Sequence, residues 1–213
     1  HPGEIFCVIG PNGSGKSTLF NVVTGFLKAG SGKVTFMGKD ITGLAPHEIC
    51  RKGIARIFQL VKPFHQLTAS QNVMVGRTYG KDPASNIGKA KEEVLEILNF
   101  VGLGNRKEVV ASQLTVAERK RLELARALAT HPRLLLLDEL MAGLNSAETE
   151  TVMNLVNKIR ESGITVMMVE HIMKAVLGIS DRVMVLNAGQ KIAEGFPKEV
   201  VKNPLVIEAY LGK

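Results

Sequence analysis

Gly10-Pro11-Asn12-Gly13-Ser14-Gly15-Lys16-Ser17, continued by Thr18, fits the pattern glycine, any four residues, glycine, lysine, serine or threonine. It follows an apolar run at 4–9 and opens a helical pattern over 16–27, the context in which such a loop cradles phosphate. The glycines serve this because a backbone that wraps an anion must point successive N–H groups inward, in conformations a Cβ would obstruct. Lys16 then places a cation on the outer phosphates, the helix N-terminus adds its positive end, and the Ser17 hydroxyl can take a magnesium position. Chance is a weak rival, since at average residue usage such a match arises in on the order of one per cent of chains this long.

Outward from the loop, short apolar runs at 4–9, 33–37, 54–58, 134–137, 164–169 and 182–186 alternate with helical patterns, which predicts an α/β fold around a mostly parallel sheet. Helices are expected over 16–27 and 146–161 and after Pro197 and Pro204. The middle of the chain reads differently. From Thr68 to Thr130 no strand pattern appears, and the apolar spacing of Val94, Leu95, Ile97, Leu98 and Val101 before Gly102 predicts a helix over 88–101. A helical insertion between two strands is therefore expected. Asn187, Ala188 and Gly189 separate two short runs and predict a hairpin.

The run Leu134-Leu135-Leu136-Leu137 ends in Asp138-Glu139. Ligands of open α/β sheets sit outside the carboxyl ends of the strands, so this pair is expected beside the phosphate loop. Asp138 can hold magnesium, directly or through water, and Glu139 can orient or deprotonate an attacking water. The strand over 164–169 leads to Glu170-His171, where an imidazole could touch a γ-phosphate. Gln59 ends the run over 54–58, where its carboxamide could ligate magnesium and position water.

Composition narrows the class. The chain has 213 residues, 45% hydrophobic and 22% charged, which excludes disordered and collagen-like chains. Cys7 and Cys50 form neither a metal spacing nor a disulfide framework. No run reaches 18 apolar residues, so no spanning helix is expected, and the start at His1 reads as trimmed, without a signal peptide. A net charge of +7 suits an anionic partner.

The loop, Gln59, a helix start at 114–118, Asp138-Glu139, the turn Ala142-Gly143-Leu144-Asn145 and His171 come in the order of ATP-binding cassette (ABC) ATPases, which the chain resembles over nearly its whole length. Asn21-Val22-Val23-Thr24-Gly25-Phe26 and the tail Asn203-Pro204-Leu205-Val206-Ile207-Glu208-Ala209-Tyr210-Leu211-Gly212 look like the ATPase subunits of branched-chain amino-acid importers. The resemblance implies a P-loop NTPase fold, with the ATPase core at 1–67 and 131–213 and a helical subdomain at 68–130 that ends in the signature helix. It implies ATP and Mg2+ at residues 10–18, with Ser17, Gln59 and Asp138 at the metal, and Glu139, His171 and Gln59 as the catalytic set. Asn145 becomes the D-loop residue. It further implies a head-to-tail homodimer or heterodimer, and membrane permease subunits met by residues 61–67. An extracellular or periplasmic solute-binding protein would act indirectly, and the location would be the cytoplasmic face of the membrane. The family's strands ahead of the phosphate loop, with their adenine-stacking aromatic, are missing here.

In the family signature Ser-Gly-Gly-Gln, this chain has Thr115-Val116-Ala117-Glu118. Thr115 with Glu118 makes a capping box, so a helix N-terminus able to face a partner's γ-phosphate is expected to survive. The following Arg119-Lys120-Arg121 reads as a solvated face. Two rival readings stand beside transport: a cassette ATPase working on nucleic acid, which the charge permits but the lack of coiled coils disfavours, and a nucleotide-binding module with impaired turnover.

Overall fold

The computed structural model of the chain describes residues 1–211; Gly212, the last residue of the tail motif, lies outside the described residues. Strand β1 (Ile5–Ile9) leads through the glycine loop into helix α1 (Lys16–Val23). A ribbon of β2 (Thr35–Phe36) and β3 (Lys39–Asp40) and helix α2 (Pro46–Lys52) precede β4 (Ile54–Ile57). Helices α3 (Ala69–Tyr79), α4 (Ile87–Phe100) and α5 (Val116–Leu128) then follow one another before β5 (Leu134–Asp138). The chain continues through α6 (Ser146–Glu161), β6 (Thr165–Val169), α7 (Met173–Ile179), β7 (Arg182–Asn187), β8 (Gln190–Gly195), α8 (Pro197–Val200) and α9 (Pro204–Leu211).

Six strands form one sheet in the order β4-β5-β6-β1-β7-β8, parallel throughout except for β8, which runs back against β7. The sequence of β1 is wholly apolar, so both faces demand cover. One face packs Ile5, Cys7 and Ile9 into the larger core with Leu135, Leu137 and Val166, and the other sets Val8 against Phe20 and Leu136. The hairpin at β7–β8 turns through Ala188 (φ 46°) and Gly189 (φ 78°), and the Gly189 N–H donates to Ser14 O at 3.0 Å, which ties the hairpin tip to the phosphate loop.

Two expectations are corrected. The run over 33–37 does not join the main sheet; Met37 (φ 51°) and Gly38 (φ 76°) fold it into the separate β2–β3 ribbon. The helix expected to reach residue 27 ends at Val23, because Gly25 (φ 75°) turns the chain and the Phe26 N–H returns to Asn21 O at 2.9 Å. Between β4 and β5 the structure has helices and a single isolated bridge, Thr68 with Val110. No helix of the described residues is long and apolar enough to cross a membrane.

Candidate nucleotide site

Parallel strands leave the sheet in the same direction, so the segments after β1, β4, β5 and β6 gather at one edge. Register sets how far each has advanced there. Ile57 pairs with Leu137 and Asp138 pairs with Val169, so Gln59, Glu139 and Glu170-His171 emerge together.

The phosphate loop is built around Lys16. Its ammonium donates to Gly10 O at 2.8 Å and Pro11 O at 3.0 Å and lies 3.4 Å from Ser14 Oγ. Burial pushes the Lys16 pKa down, while Glu139 and Asp138 pull it back up. Gly15 caps α1 at φ 102°, and Gly10 sits at φ 151° where a Cβ would collide with Leu186 O and stand 2.7 Å from Ser14 Oγ. This is a cradle only glycine can form. Ser17 and Thr18 are exposed in the first turn of α1, while Ser14 is buried beneath the loop.

Glu139 follows β5 in a left-handed conformation, φ 50°, which a side chain rarely adopts and which strains the backbone there. Its amide extends the ladder to Val169 O at 2.9 Å, and its carboxylate joins two other strand ends. Oε2 accepts from Gln59 Nε2 at 2.6 Å, and Oε1 lies 2.8 Å from His171 Nε2. The structure thus brings Gln59, Glu139 and His171 into direct contact. Asp138 is buried and bridged to Arg56, whose Nη2 lies 2.7 Å from Oδ2. Arg56 also donates to Asn21 Oδ1 at 2.7 Å and Thr24 Oγ1 at 3.2 Å, and its guanidinium stacks 4.6 Å from the Phe58 ring centroid.

No group of three or more His, Cys, Asp or Glu able to hold a metal occurs among the described residues. The hydroxyl, carboxylate and carboxamide of Ser17, Asp138 and Gln59 are hard oxygen donors, which suit Mg2+, an ion that keeps waters and substrate oxygens for most of its shell.

Thr115, Val116, Ala117 and Glu118 stand apart from this contact set, at the start of α5. The capping box is present: Thr115 Oγ1 accepts from the Glu118 N–H at 3.2 Å and Glu118 Oε2 accepts from the Thr115 N–H at 2.9 Å. Arg106 holds the other Glu118 oxygen at 2.8 Å, and Val116 is exposed. Asn145 caps α6, accepting from the Glu148 N–H at 2.9 Å.

The reading of residues 119–121 as a solvated face is wrong. Lys120 is buried and donates to Leu140 O at 2.7 Å and Ala142 O at 2.6 Å, while Arg121 reaches Gly102 O at 3.1 Å, beyond the end of α4. Farther along α5, Glu123 accepts from the Lys62 N–H at 2.6 Å, Arg126 donates to Lys62 O at 3.0 Å, and Arg126 lies 4.7 Å from the Phe64 ring. Burial raises the Glu123 carboxyl pKa despite these contacts. Arg56 and Lys120 are therefore contacts of the site, and Glu123 a contact of the segment after Gln59, that spacing alone did not reveal. A charged residue inside the apolar β4 was the one visible sign of Arg56.

A phosphate loop after the first strand of a parallel sheet, with an acidic pair and two polar strand ends converging beside it, defines a nucleoside triphosphatase of the phosphate-loop class. Comparison with known proteins refines this, because the model of the ABC transporter family matches residues 1–142 and that of the branched-chain amino acid ATP-binding cassette transporters matches residues 190–213. The chain belongs to the ABC transporter family, as an ABC-type ATPase. It is 39% identical to the high-affinity branched-chain amino acid transport ATP-binding protein BraF of Pseudomonas aeruginosa over 99% of this chain and 88% of that one. Identity to the corresponding protein LivG of Escherichia coli is 38%, over 100% of this chain and 89% of that protein. The ADP conformation of MJ1267, an ATP-binding cassette of an ABC transporter, superposes with a TM-score of 0.88 at 36% identity, covering 100% of this chain and 89% of that one. The dimeric post-hydrolysis cassette MJ0796, bound to ADP and phosphate, gives 0.82 at 28% identity over 92% and 87% of the two chains.

Proposed function

We propose that this chain hydrolyses MgATP to power import of branched-chain or related amino acids, as a subunit docked on membrane permease subunits at the cytoplasmic face. The observation that carries the reading of the site is the grip on Glu139, whose two carboxylate oxygens are held by Gln59 and His171 beside the phosphate loop. Residues 10–18 bind the phosphates, with Lys16 countering their charge. Ser17, Asp138 and Gln59 supply the oxygens for Mg2+, whose chemistry when bound is to neutralise and orient the β and γ phosphates. Glu139 takes the proton of the attacking water. His171 and Gln59 keep its carboxylate aimed.

Residues 1–67 and 131–213 serve as the ATPase core and 68–130 as a helical subdomain. Two chains, identical or related, meet head to tail, so that Thr115, Val116, Ala117 and Glu118 face the partner's γ-phosphate and Asn145 lies at the seam. Support for a surviving helix N-terminus comes from the intact capping box, which leaves the first amides of α5 for an anion. Residues 61–67, held by Glu123 and Arg126, carry the motion to the permease, and a solute-binding protein acts on its far side.

The test is purification after co-expression with branched-chain amino-acid permease subunits from the same genome, followed by phosphate release with and without amino-acid-loaded binding protein. Co-purification and a stimulated rate are expected. A chain that hydrolyses ATP but never associates with permeases sinks the transport reading while leaving the ATPase intact.

A further inference from the structure

Three consecutive residues after Glu139 are gripped by side chains from two other elements. Lys120, near the start of α5, donates to the carbonyls of Leu140 (2.7 Å) and Ala142 (2.6 Å), and Glu170, at the end of β6, accepts from the Met141 N–H at 3.0 Å. Both gripping residues are buried, Lys120 4% and Glu170 2% exposed. A lysine and a glutamate in such places cost solvation that a methionine or leucine would not, so the contacts they make must repay it. Burial indeed lowers the Lys120 pKa and raises that of Glu170, and each group's charge partly offsets the other's shift.

We propose that Lys120 and Glu170 are positioning residues that clamp the 140–142 turn and thereby set the aim of Glu139. Glu139 stands immediately before the turn at φ 50°, a conformation that persists only where its surroundings over-determine it. The clamp supplies that constraint. Glu170 is covalently joined to His171, whose Nε2 reaches Glu139 Oε1, so the contacts close a ring: α5 to Lys120, to the turn, to Glu139, to His171, to Glu170 and back to the turn. Lys120 cannot be a local helix support, because its acceptors lie 20 and 22 residues farther along the chain. Because α5 begins at the Thr115 cap, any shift of that helix on meeting a partner pulls on the turn that carries the base.

The inference rests on the ATPase reading, and the experiment separates the two. Steady-state ATPase kinetics, nucleotide affinity and melting are measured on the full chain and on Lys120→Met, Lys120→Gln, Lys120→Arg and Glu170→Gln. Removing charge-assisted bonds that only aim the base lowers kcat by about 10- to 100-fold for Lys120→Met, with KM and nucleotide Kd within about twofold. Lys120→Gln and Glu170→Gln, which keep one polar contact each, fall between, and Lys120→Arg returns to within about threefold of the parent because it keeps the charge and the donors. Lys120→Gln decides the matter if Lys120→Met does not fold. Unchanged kcat in the neutral variants, a loss of affinity that parallels kcat, or Arg no better than Met overturns the clamp. A parent chain that binds ATP without hydrolysing it overturns the ATPase reading itself, and the clamp's role with it.

Discussion

His171 Nε2 lies 2.8 Å from Glu139 Oε1, which joins residues 32 positions apart across the ends of two adjacent parallel strands. With Gln59 on the other oxygen, each carboxylate oxygen carries one protein contact that fixes its direction and keeps a second lone pair with which to meet a water.

Glu139→Gln should therefore keep nucleotide binding and lose turnover, by about 10²- to 10⁴-fold, the usual effect of removing a general base. Phosphate release and titration calorimetry measured together check this. Parent-like turnover in the variant would remove Glu139 from its role.

The buried pair of Arg56 and Asp138 gives a stability prediction. Arg56→Met removes the ion-pair partner of the buried Asp138 carboxyl, and breaking a buried pair from one side costs about 3 to 5 kcal/mol. Urea denaturation reads it directly. A loss below about 1 kcal/mol, the scale of an exposed ion pair, would mean that solvent reaches Asp138 more freely than its burial implies.

At the altered signature, Thr115→Ala should cost about 1 kcal/mol through the lost cap. Replacing Val116 and Ala117 by glycine should raise the ATPase rate by letting a partner's phosphate approach, although each glycine costs about 0.5 to 1 kcal/mol of helix stability. Thr115→Arg should abolish hydrolysis at high protein concentration without changing monomer affinity for ATP. Normal hydrolysis by Thr115→Arg would refute the composite site.

Burial pushes the Cys7 thiol up to about 12, so at pH 8 only about one molecule in ten thousand carries the reactive thiolate. Cys7 should resist iodoacetamide in the native chain and react after unfolding, with Cys50, half-buried and also shifted upward, slower than a free thiol. Peptide mass mapping distinguishes the two. Equal labelling of Cys7 in native and denatured protein would contradict the packing around β1.

Much of this architecture is legible in sequence because apolar runs and loop glycines act locally. All the parallel strands were visible as such runs, and the capping box at Thr115 and the hairpin at Ala188-Gly189 needed only neighbouring residues. Helix α3 was hidden because Asn72 and Arg77 occupy buried positions on it: Asn72 donates to Phe64 O and Leu67 O, and Arg77 pairs with Glu93. Helix α2 was not read either: its signals, Pro46 at its start and Gly53 (φ 99°) at its end, enclose a short span with a single buried residue, Ile49, too little for an apolar period. Lys120 was misread from its charged neighbours, although helical spacing places it with Leu124 and Ala127 on the buried side of α5. Its partners, like those of Arg56, lie far along the chain, and no local pattern announces them.

The position of β1 has a consequence for how the molecule is made. The strand that launches the phosphate loop is synthesised long before the two neighbours it must pair with, Ile5 with Val166 and Ile9 with Val185. Loop closure over so many residues is slow, and until it happens a fully apolar segment has no sheet to enter. The nascent chain must therefore shelter its own nucleotide-binding strand until those neighbours emerge, and holding chaperones would be expected to engage it there.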